Sequence, residues 1–363
     1  MTSVDFGWFL PTMGDSEAIG PPTREPLLDY LVDVAKAAEE AGFGFALVPV
    51  GTACYDAWMA SAVVAGQTER LKFLVAMRPG FVAPTLAAKM SNSLDQLTKG
   101  RVLINVVTGG FPAELAADGD FLDHDERYAR TQEFMQVVRK AWTEPKRWNH
   151  EGKYYKVEGG NTQPRPYTQP YPPFYFGGAS EAARVVGAQE ADVYLLWGEP
   201  LGMVQERIDD MRKRAADIGR TLRFGLRIHV VSRETEDEAW AAADELIAHI
   251  PPEFEQATQH LQSKTDSSGE QRQQQMRSRA GASDNGDSLV VGPNLWAGIG
   301  KARVGVGTAL VGSGENVAKR IQEYVDSGID TFIFSGYPHL EEANRFGRYV
   351  MPHFAKTAAA TTA

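Results

Sequence analysis

Residues 71–108 read LKFLVAMRPGFVAPTLAAKMSNSLDQLTKGRVLINVVT. Leu71–Met77 is an apolar run bounded by turn residues and predicts a strand. Pro84 then opens a helix with Leu86, Met90, Leu94 and Leu97 at helical spacing, and Gly100 ends it. Val102–Thr108 is the next strand. Strand, helix and strand in so short a span make one crossover unit of a parallel sheet. The same rhythm continues in both directions. Upstream lie a strand over Phe6–Pro11, a helix marked by Leu27, Leu31, Val34 and Ala38 with Gly42 as its stop, a strand over Phe45–Val50 and a helix over Asp56–Thr68. Downstream come a helix from about Asp125 to Trp142, then strand–helix pairs Phe174–Gly178 with Ser180–Glu190, Asp192–Trp197 with Leu201–Ile218, and Leu222–Val231 with Glu236–Ile250. The last helix, Val317–Val325, precedes its strand, Thr331–Ser335, so a large insertion must come before strand 8.

Eight near-continuously apolar strands covered by helices predict an α/β fold, a (β/α)8 TIM barrel, over a single domain 1–363. An open doubly wound sheet is the alternative. Three segments break the rhythm: an aromatic, proline-rich hairpin insertion at 146–173, a polar lid-like insertion at 251–292, most polar over Gln256–Ser288, and a flexible small-residue tail at 355–363.

The 363 residues carry a formal charge of −10, which argues against nucleic acid as a partner, because phosphate affinity comes from clustered Lys and Arg. Cys54 is the only cysteine, so no intrachain disulfide forms and a reducing cytoplasm fits. Met1–Leu10 lacks a basic start and reads as a first strand rather than a secretion signal, and no apolar run is long enough to suggest a membrane span.

Barrel enzymes carry their chemistry at the carboxyl ends of the strands. In order, those ends present Thr12 and Met13; Cys54 and Asp56; Arg78; Asn105 through Thr108 to Gly110; Gly177, Gly178, Ala179 and Ser180; Trp197; Arg227 and His229; and Tyr337 with His339. Arg227 and His229 are two apart on one strand and share a face. An arginine in an apolar strand meets either an anionic ligand or a neighbouring structural carboxylate. The Gly177–Ser180 turn leads into a helix whose amides suit a phosphate, although strand–Gly–Gly turns are common. His124 and Tyr128 share a helix face and are either site residues or ordinary surface residues. The seven histidines form no metal-ligand spacing, and no Gly-x-Ser-x-Gly elbow is present. Cations, aromatics and hydroxyls without an evident acid–base dyad suit a reaction whose hard step belongs to a cofactor.

Seven segments, in order and almost end to end, resemble the alkanesulfonate monooxygenases of the bacterial luciferase-like superfamily. They are Trp8–Thr12, Asn105–Gly109, Pro172–Gly178, Leu196–Pro200, Phe224–His229, Pro293–Gly298 and Ser335–Glu342. The resemblance implies a two-component system in which a separate NAD(P)H-dependent flavin reductase supplies reduced FMN (FMNH2). The enzyme uses it with O2 to cleave the C–S bond of an organosulfonate, giving sulfite and an aldehyde. It also implies that Arg227, His229, Arg303, Trp197, Tyr337 and Cys54 line the reacting site, with Met13 and His339 against the substrate. Asn105, Thr108, His124, Tyr128, Gly178, Ala179 and Ser180 would hold the flavin and its phosphate, and a homo-oligomer, dimer or tetramer, is expected. Two motifs depart from the family's usual Pro-Thr-His-Gly-Asp-Gly and Arg-Ser-Cys-Glu-Asp: here Pro11-Thr12-Met13-Gly14-Asp15-Ser16 and Thr52-Ala53-Cys54-Tyr55-Asp56. Both lie at the expected mouth, which brings bulkier sulfonates such as the sulfosugar sulfoquinovose into consideration beside simple alkanesulfonates. A deazaflavin-dependent oxidoreductase and a non-catalytic flavin-binding barrel are the competing readings on the same fold.

Overall fold

The computed structural model describes residues 4–281 and 289–354; the expected tail and residues 282–288 of the insertion lie outside the described residues. In chain order the elements are β1 (Asp5–Phe9), α1 (Leu28–Ala41), β2 (Phe45–Val48), α2 (Ala57–Ala65), β3 (Lys72–Met77), α3 (Pro84–Thr98), β4 (Val102–Val106), α4 (Pro112–Ala117) and α5 (His124–Thr143). A hairpin of β5 (Trp148–Glu151) and β6 (Lys156–Gly160) follows, then β7 (Phe174–Gly177), α6 (Glu181–Glu190), β8 (Val193–Trp197), α7 (Leu201–Asp217), β9 (Arg223–Arg233) and α8 (Glu236–Ala248). The last part holds α9 (Pro252–Ser263), α10 (Ser268–Gly281), β10 (Val290–Gly292), β11 (Leu295–Trp296), β12 (Ala309–Ser313), α11 (Gly314–Ser327), β13 (Thr331–Ser335) and α12 (His339–Tyr349).

Strands β1, β2, β3, β4, β7, β8, β9 and β13 pair in parallel around a closed ring, β13 returning to β1. The chain is therefore an eight-stranded α/β barrel with additional strands. Its interior is filled by Phe9, Phe45, Leu47, Leu74, Leu103, Tyr175, Val193 and Ile333, contributed from seven strands. Small residues make room for the large ones: a Cβ on Gly7 would fall 2.2 Å from the Phe45 ring, and one on Gly225 would fall 2.6 Å from Leu195. The larger core lies outside the ring, where Trp8, Phe73, Phe174, Phe176, Phe332 and Phe334 meet the helices. Each such ring, removed from water, contributes on the order of 2–3 kcal/mol.

Helix ends follow local rules. Gly42 and Gly328 stop α1 and α11 in the left-handed conformation at φ 97° and 111°. Asp56, Asp123, Ser180, Thr235 and Ser313 each cap a helix start through the side chain.

Several expectations need correction. Leu86 and Leu97 face solvent; α3 instead buries Ala87, Ala88, Ser91, Asn92, Leu94 and Asp95. Leu27 is likewise exposed and precedes α1. The short helix α4 and the strands β10, β11 and β12 were not anticipated. The polar insertion holds two helices, α9 and α10, and it buries Thr258, Gln262, Glu270 and Gln273.

β12 matters for the site. On one edge of β9, Gly198 N donates to the Arg227 carbonyl at 2.9 Å, and two residues on His229 N donates to the Thr308 carbonyl at 3.0 Å. The edge that β8 occupies at its start thus passes to β12, and the two neighbours diverge at the carboxyl end of the barrel. Helix α10 covers that divergence.

Candidate active site at the carboxyl end of the barrel

Continuing the inward-facing alternation up the strands brings five polar or aromatic residues onto the ring's inner face. Asn105 is the cross-strand partner of Tyr175, Trp197 follows Val193 and Leu195, Arg227 is the partner of Ile333, and His229 is the partner of Ser335. The Phe9 ring forms the floor. The guanidinium carbons of Arg227 and Arg303 lie 5.1 and 5.5 Å from its centroid, although the two residues come from different segments. Neither forms an ion pair among the described residues.

Arg227 donates through Nη1 to the Ile228 and Ile333 carbonyls at 3.0 and 3.3 Å and through Nη2 to Ser335 Oγ at 2.7 Å. Burial, followed by repulsion from Arg303, pulls its pKa down to about 9. Arg303 donates through Nη1 to the Tyr337 hydroxyl at 3.0 Å, while its Nε is buried without a partner.

Ser335 Oγ also lies 2.7 Å from His229 Nδ1. Arg227 can only donate, so Ser335 Oγ accepts from it, and the hydroxyl keeps one proton and one lone pair with which to meet His229 Nδ1. His229 is fully buried, and burial, then Arg227 and Arg303, hold its pKa far below the ordinary histidine value. Its ring stacks on Tyr337 at 5.9 Å and 11°. Tyr337 in turn meets the edge of His339 at 5.2 Å, and His339 lies 5.4 Å from Phe9. Arg227, His229, Arg303, Tyr337 and His339 therefore form one cluster, with Phe9 and Ser335 as members that the strand-end list did not include. Ser335 ends a strand and was open to the same reasoning as Arg227.

The remaining expected residues fall around this cluster. Cys54 is half-buried beside Thr12, within the fields of Arg303, Glu114 and Arg78, and burial pushes its thiol up. Trp197 pairs in register with Arg227 and packs beneath α10, 3.2 Å from where a Gly269 Cβ would stand. Met13 is partly exposed and has no described contact with the cluster.

A second group lies at the ends of β4 and β7. The Tyr128 hydroxyl faces Ser180 and the backbone of Gly178, where a Cβ would come 2.4 Å from Ala183 and 3.2 Å from that hydroxyl. His124 meets Tyr128 at 4.9 Å and its Nδ1 lies 2.6 Å from Asp125. Ala179 presents its carbonyl to Arg207 at 3.1 Å, and Thr108 and Thr131 hydroxyls lie 3.1 Å apart. At Gly178 the turn packs directly against Ala183 of the Ser180-capped helix, and the amides of such a helix start suit a phosphate.

The α9–α10 insertion closes over both groups. Arg272 grips Glu199 through Nε and Nη2 at 2.8 and 2.6 Å, Gln273 donates to the Gly198 carbonyl at 3.0 Å, and Glu270 accepts from Gly305 N at 2.6 Å. Asp266 pairs with Arg127, and Thr265 Oγ1 donates to the Gly110 carbonyl at 2.6 Å. Arg272 is thus engaged by the barrel, and Arg277 donates to Gln262 Oε1 at 3.0 Å. A cavity of about 540 Å3 beside Pro200, Met203 and Met276 lies on the outer side of α10, away from the Phe9 cluster.

No helix among the described residues is long and apolar enough to cross a membrane. Three solved structures share the fold over nearly the whole chain. A riboflavin lyase (RcaE), solved with modified FMN and riboflavin, aligns with TM-score 0.81 at 22% identity, covering 98% of this chain and 92% of that one. A long-chain alkane monooxygenase (LadA) aligns with TM-score 0.80 at 24% identity, covering 99% and 92%. EDTA monooxygenase (EmoA) from Chelativorans sp. BNC1 aligns with TM-score 0.78 at 19% identity, covering 98% and 94%. At these identities the likeness is one of fold. The family model described as luciferase-like monooxygenase matches residues 4–331, and on that match the chain belongs to the luciferase-like monooxygenase family.

Proposed function

We propose that this monooxygenase is the oxygenating half of a two-component system and cleaves the C–S bond of an organosulfonate with reduced FMN and O2. In balanced form, R–CH2–SO3− + FMNH2 + O2 gives R–CHO + SO3²− + H+ + FMN + H2O. A separate NAD(P)H-dependent reductase supplies the FMNH2. The observation that carries the reading is the pair Arg227 and Arg303, two guanidinium groups over one phenyl ring, neither in an ion pair among the described residues. Arg227 is buried and Arg303 half-buried; two neighbouring cations so placed are costly unless an anion joins them, and a sulfonate offers three oxygens to two forks. An alkane or alcohol substrate gives such a pair nothing to hold.

The bound flavin supplies the activation of O2. In this reading Thr108, His124, Tyr128, Gly178, Ala179 and Ser180 hold its ring and phosphate, with Asn105 beneath. Arg227 and Arg303 orient the sulfonate, Trp197 and Tyr337 wall the site, and α10 excludes water. Met13 and Tyr55 at the rim stand where the family usually has His and Glu, which favours a bulkier or hydroxylated sulfonate such as sulfoquinovose over a short alkyl chain.

The test is sulfite release with FMN, a flavin reductase and NAD(P)H across methane-, alkyl-, taurine-type and sugar sulfonates. Sulfite from at least one of them, dependent on O2, is expected. No sulfite from any, or turnover of an alcohol with a deazaflavin and no O2, overturns the reading.

A further inference from the structure

We infer that Asp15 and His339 form an acid–base dyad, with His339 Nε2 taking up the proton that the reaction releases; the inference rests on the desulfonating reading above. Asp15 is almost fully buried. Its Oδ1 accepts from His339 Nδ1 at 2.8 Å and from Ser16 N at 2.9 Å, and its Oδ2 accepts from His339 N at 2.7 Å and from the Tyr30 hydroxyl. Burial alone would raise this carboxyl, but the His339 ring, then the Tyr30 hydroxyl and the His339 amide, hold it below the usual carboxylate range. An ionised carboxylate only accepts, so His339 must carry a proton on Nδ1. Its other nitrogen, Nε2, is buried and has no partner among the described residues. The ring that bears it touches Phe9 and Tyr337, which carry the contacts of Arg227 and Arg303.

The two histidines of the site therefore differ in what holds them. His229 Nδ1 meets a hydroxyl, Ser335 Oγ, which can donate or accept and so leaves the ring's tautomer open. His339 Nδ1 meets a carboxylate, which only accepts and so fixes a proton there, leaving Nε2 as the nitrogen away from Asp15. Conversion of R–CH2–SO3− to an aldehyde and sulfite forms the C=O bond with one atom of O2, the other being reduced to water at the expense of FMNH2; the sulfonate-bearing carbon loses one hydrogen as a proton, and the C–S electron pair leaves with sulfur. His339 Nε2 accepts that proton, and the resulting imidazolium faces Asp15. Asp15 does not itself become protonated; it is a positioning residue that fixes the tautomer.

Nitrogen-15 NMR of the histidine rings in the intact protein tests the dyad without substrate. We expect His339 with its proton on Nδ1 and a bare Nε2, and loss of that fixed tautomer in Asp15→Asn. With a sulfonate that the wild type turns over, Asp15→Asn and His339→Gln should each lower kcat about 100-fold or more, with KM within about threefold and FMN binding retained. Because Asp15→Asn disturbs a buried network, His339→Gln, which leaves Asp15 with Tyr30 and Ser16, serves as the second variant. A proton on Nε2 in the wild type, or kcat within threefold of wild type in folded His339→Gln, overturns the dyad. Absence of sulfite from the wild type overturns the desulfonating reading instead, and the NMR result then decides the dyad alone.

Discussion

A buried arginine without a carboxylate is a strained arrangement, and its titration follows from that. The pKa of Arg227 is about 9 in the folded chain and near the ordinary arginine value when unfolded. Between those values the unfolded state binds more protons, so stability rises with pH across that window, and at neutral pH the charged group costs stability. A bound sulfonate or sulfate offsets that cost. Thermal melting with an unreactive sulfonate should therefore show stabilisation at pH 7 that fades as pH passes about 9; equal stabilisation at pH 7 and 10 would remove Arg227 from the anion site. Arg227→Lys keeps a charge but not the fork to Ser335 and the carbonyls. Truncating one partner of a buried charge pair costs about 2–5 kcal/mol, or roughly 30- to several-thousand-fold in kcat/KM. Cys54 sits differently. Burial pushes its thiol up, so it stays protonated at neutral pH and makes a poor nucleophile. Cys54→Ser should change kcat by less than about tenfold, and alkylation at pH 7 should be slow. Inactivation by the substitution would show that the thiol takes part in the reaction.

At the scale of elements, α10 is held mainly by polar contacts. Arg272 with Glu199, Gln273 with Gly198 and Glu270 with Gly305 tie it to the diverging ends of β8 and β12. Arg272→Ala removes the forked pair without touching the Phe9 cluster. Amide hydrogen exchange in α10 should speed up, and more O2 should leave as H2O2 relative to sulfite, because a site open to water wastes the activated flavin. Unchanged coupling in that variant would mean that α10 does not seal the site. The same polar attachment explains why α9 and α10 were not legible in the sequence: their contacts are carbonyls and carboxylates far along the chain, and no apolar stripe marks them. α3 misled for a related reason. Its buried face holds Asn92, which donates to the Pro164 carbonyl at 2.7 Å, and Asp95, which accepts from Thr168 N and Oγ1 at 2.7 and 2.9 Å. The hairpin excursion satisfies these groups, so the leucines on the other side are free to face solvent. The eight barrel strands were legible because each is buried on both sides and reads as an apolar run. Arg227 and His229 stood out against that run, whereas Phe9 blended into it and the Asp15–His339 contact joins residues 324 positions apart.

The whole molecule carries a net charge of −10, yet the site proposed here gathers two cations that form no ion pair among the described residues. An anionic substrate thus approaches through an unfavourable long-range field and is captured by a local favourable one. Added salt screens the distant charges more than the buried pair, since the Debye length is about 10 Å at 0.1 M. Raising ionic strength from about 0.01 to 0.1 M should therefore raise kcat/KM for a sulfonate modestly; a steep fall would place the substrate in an exposed cationic patch instead. The fold, the cation pair and the cover supplied by α10 converge on one account, that oxygen is spent on a sulfonate held by Arg227 and Arg303. The most direct measurement is the ratio of sulfite released to O2 consumed with a sulfonate that is turned over, in the wild type and in Arg227→Lys. The account predicts a ratio near one for the wild type and a low ratio for the variant, with the missing O2 recovered as H2O2. Sulfite that stays stoichiometric in Arg227→Lys, or O2 that goes wholly to H2O2 in the wild type whatever the sulfonate, would contradict it.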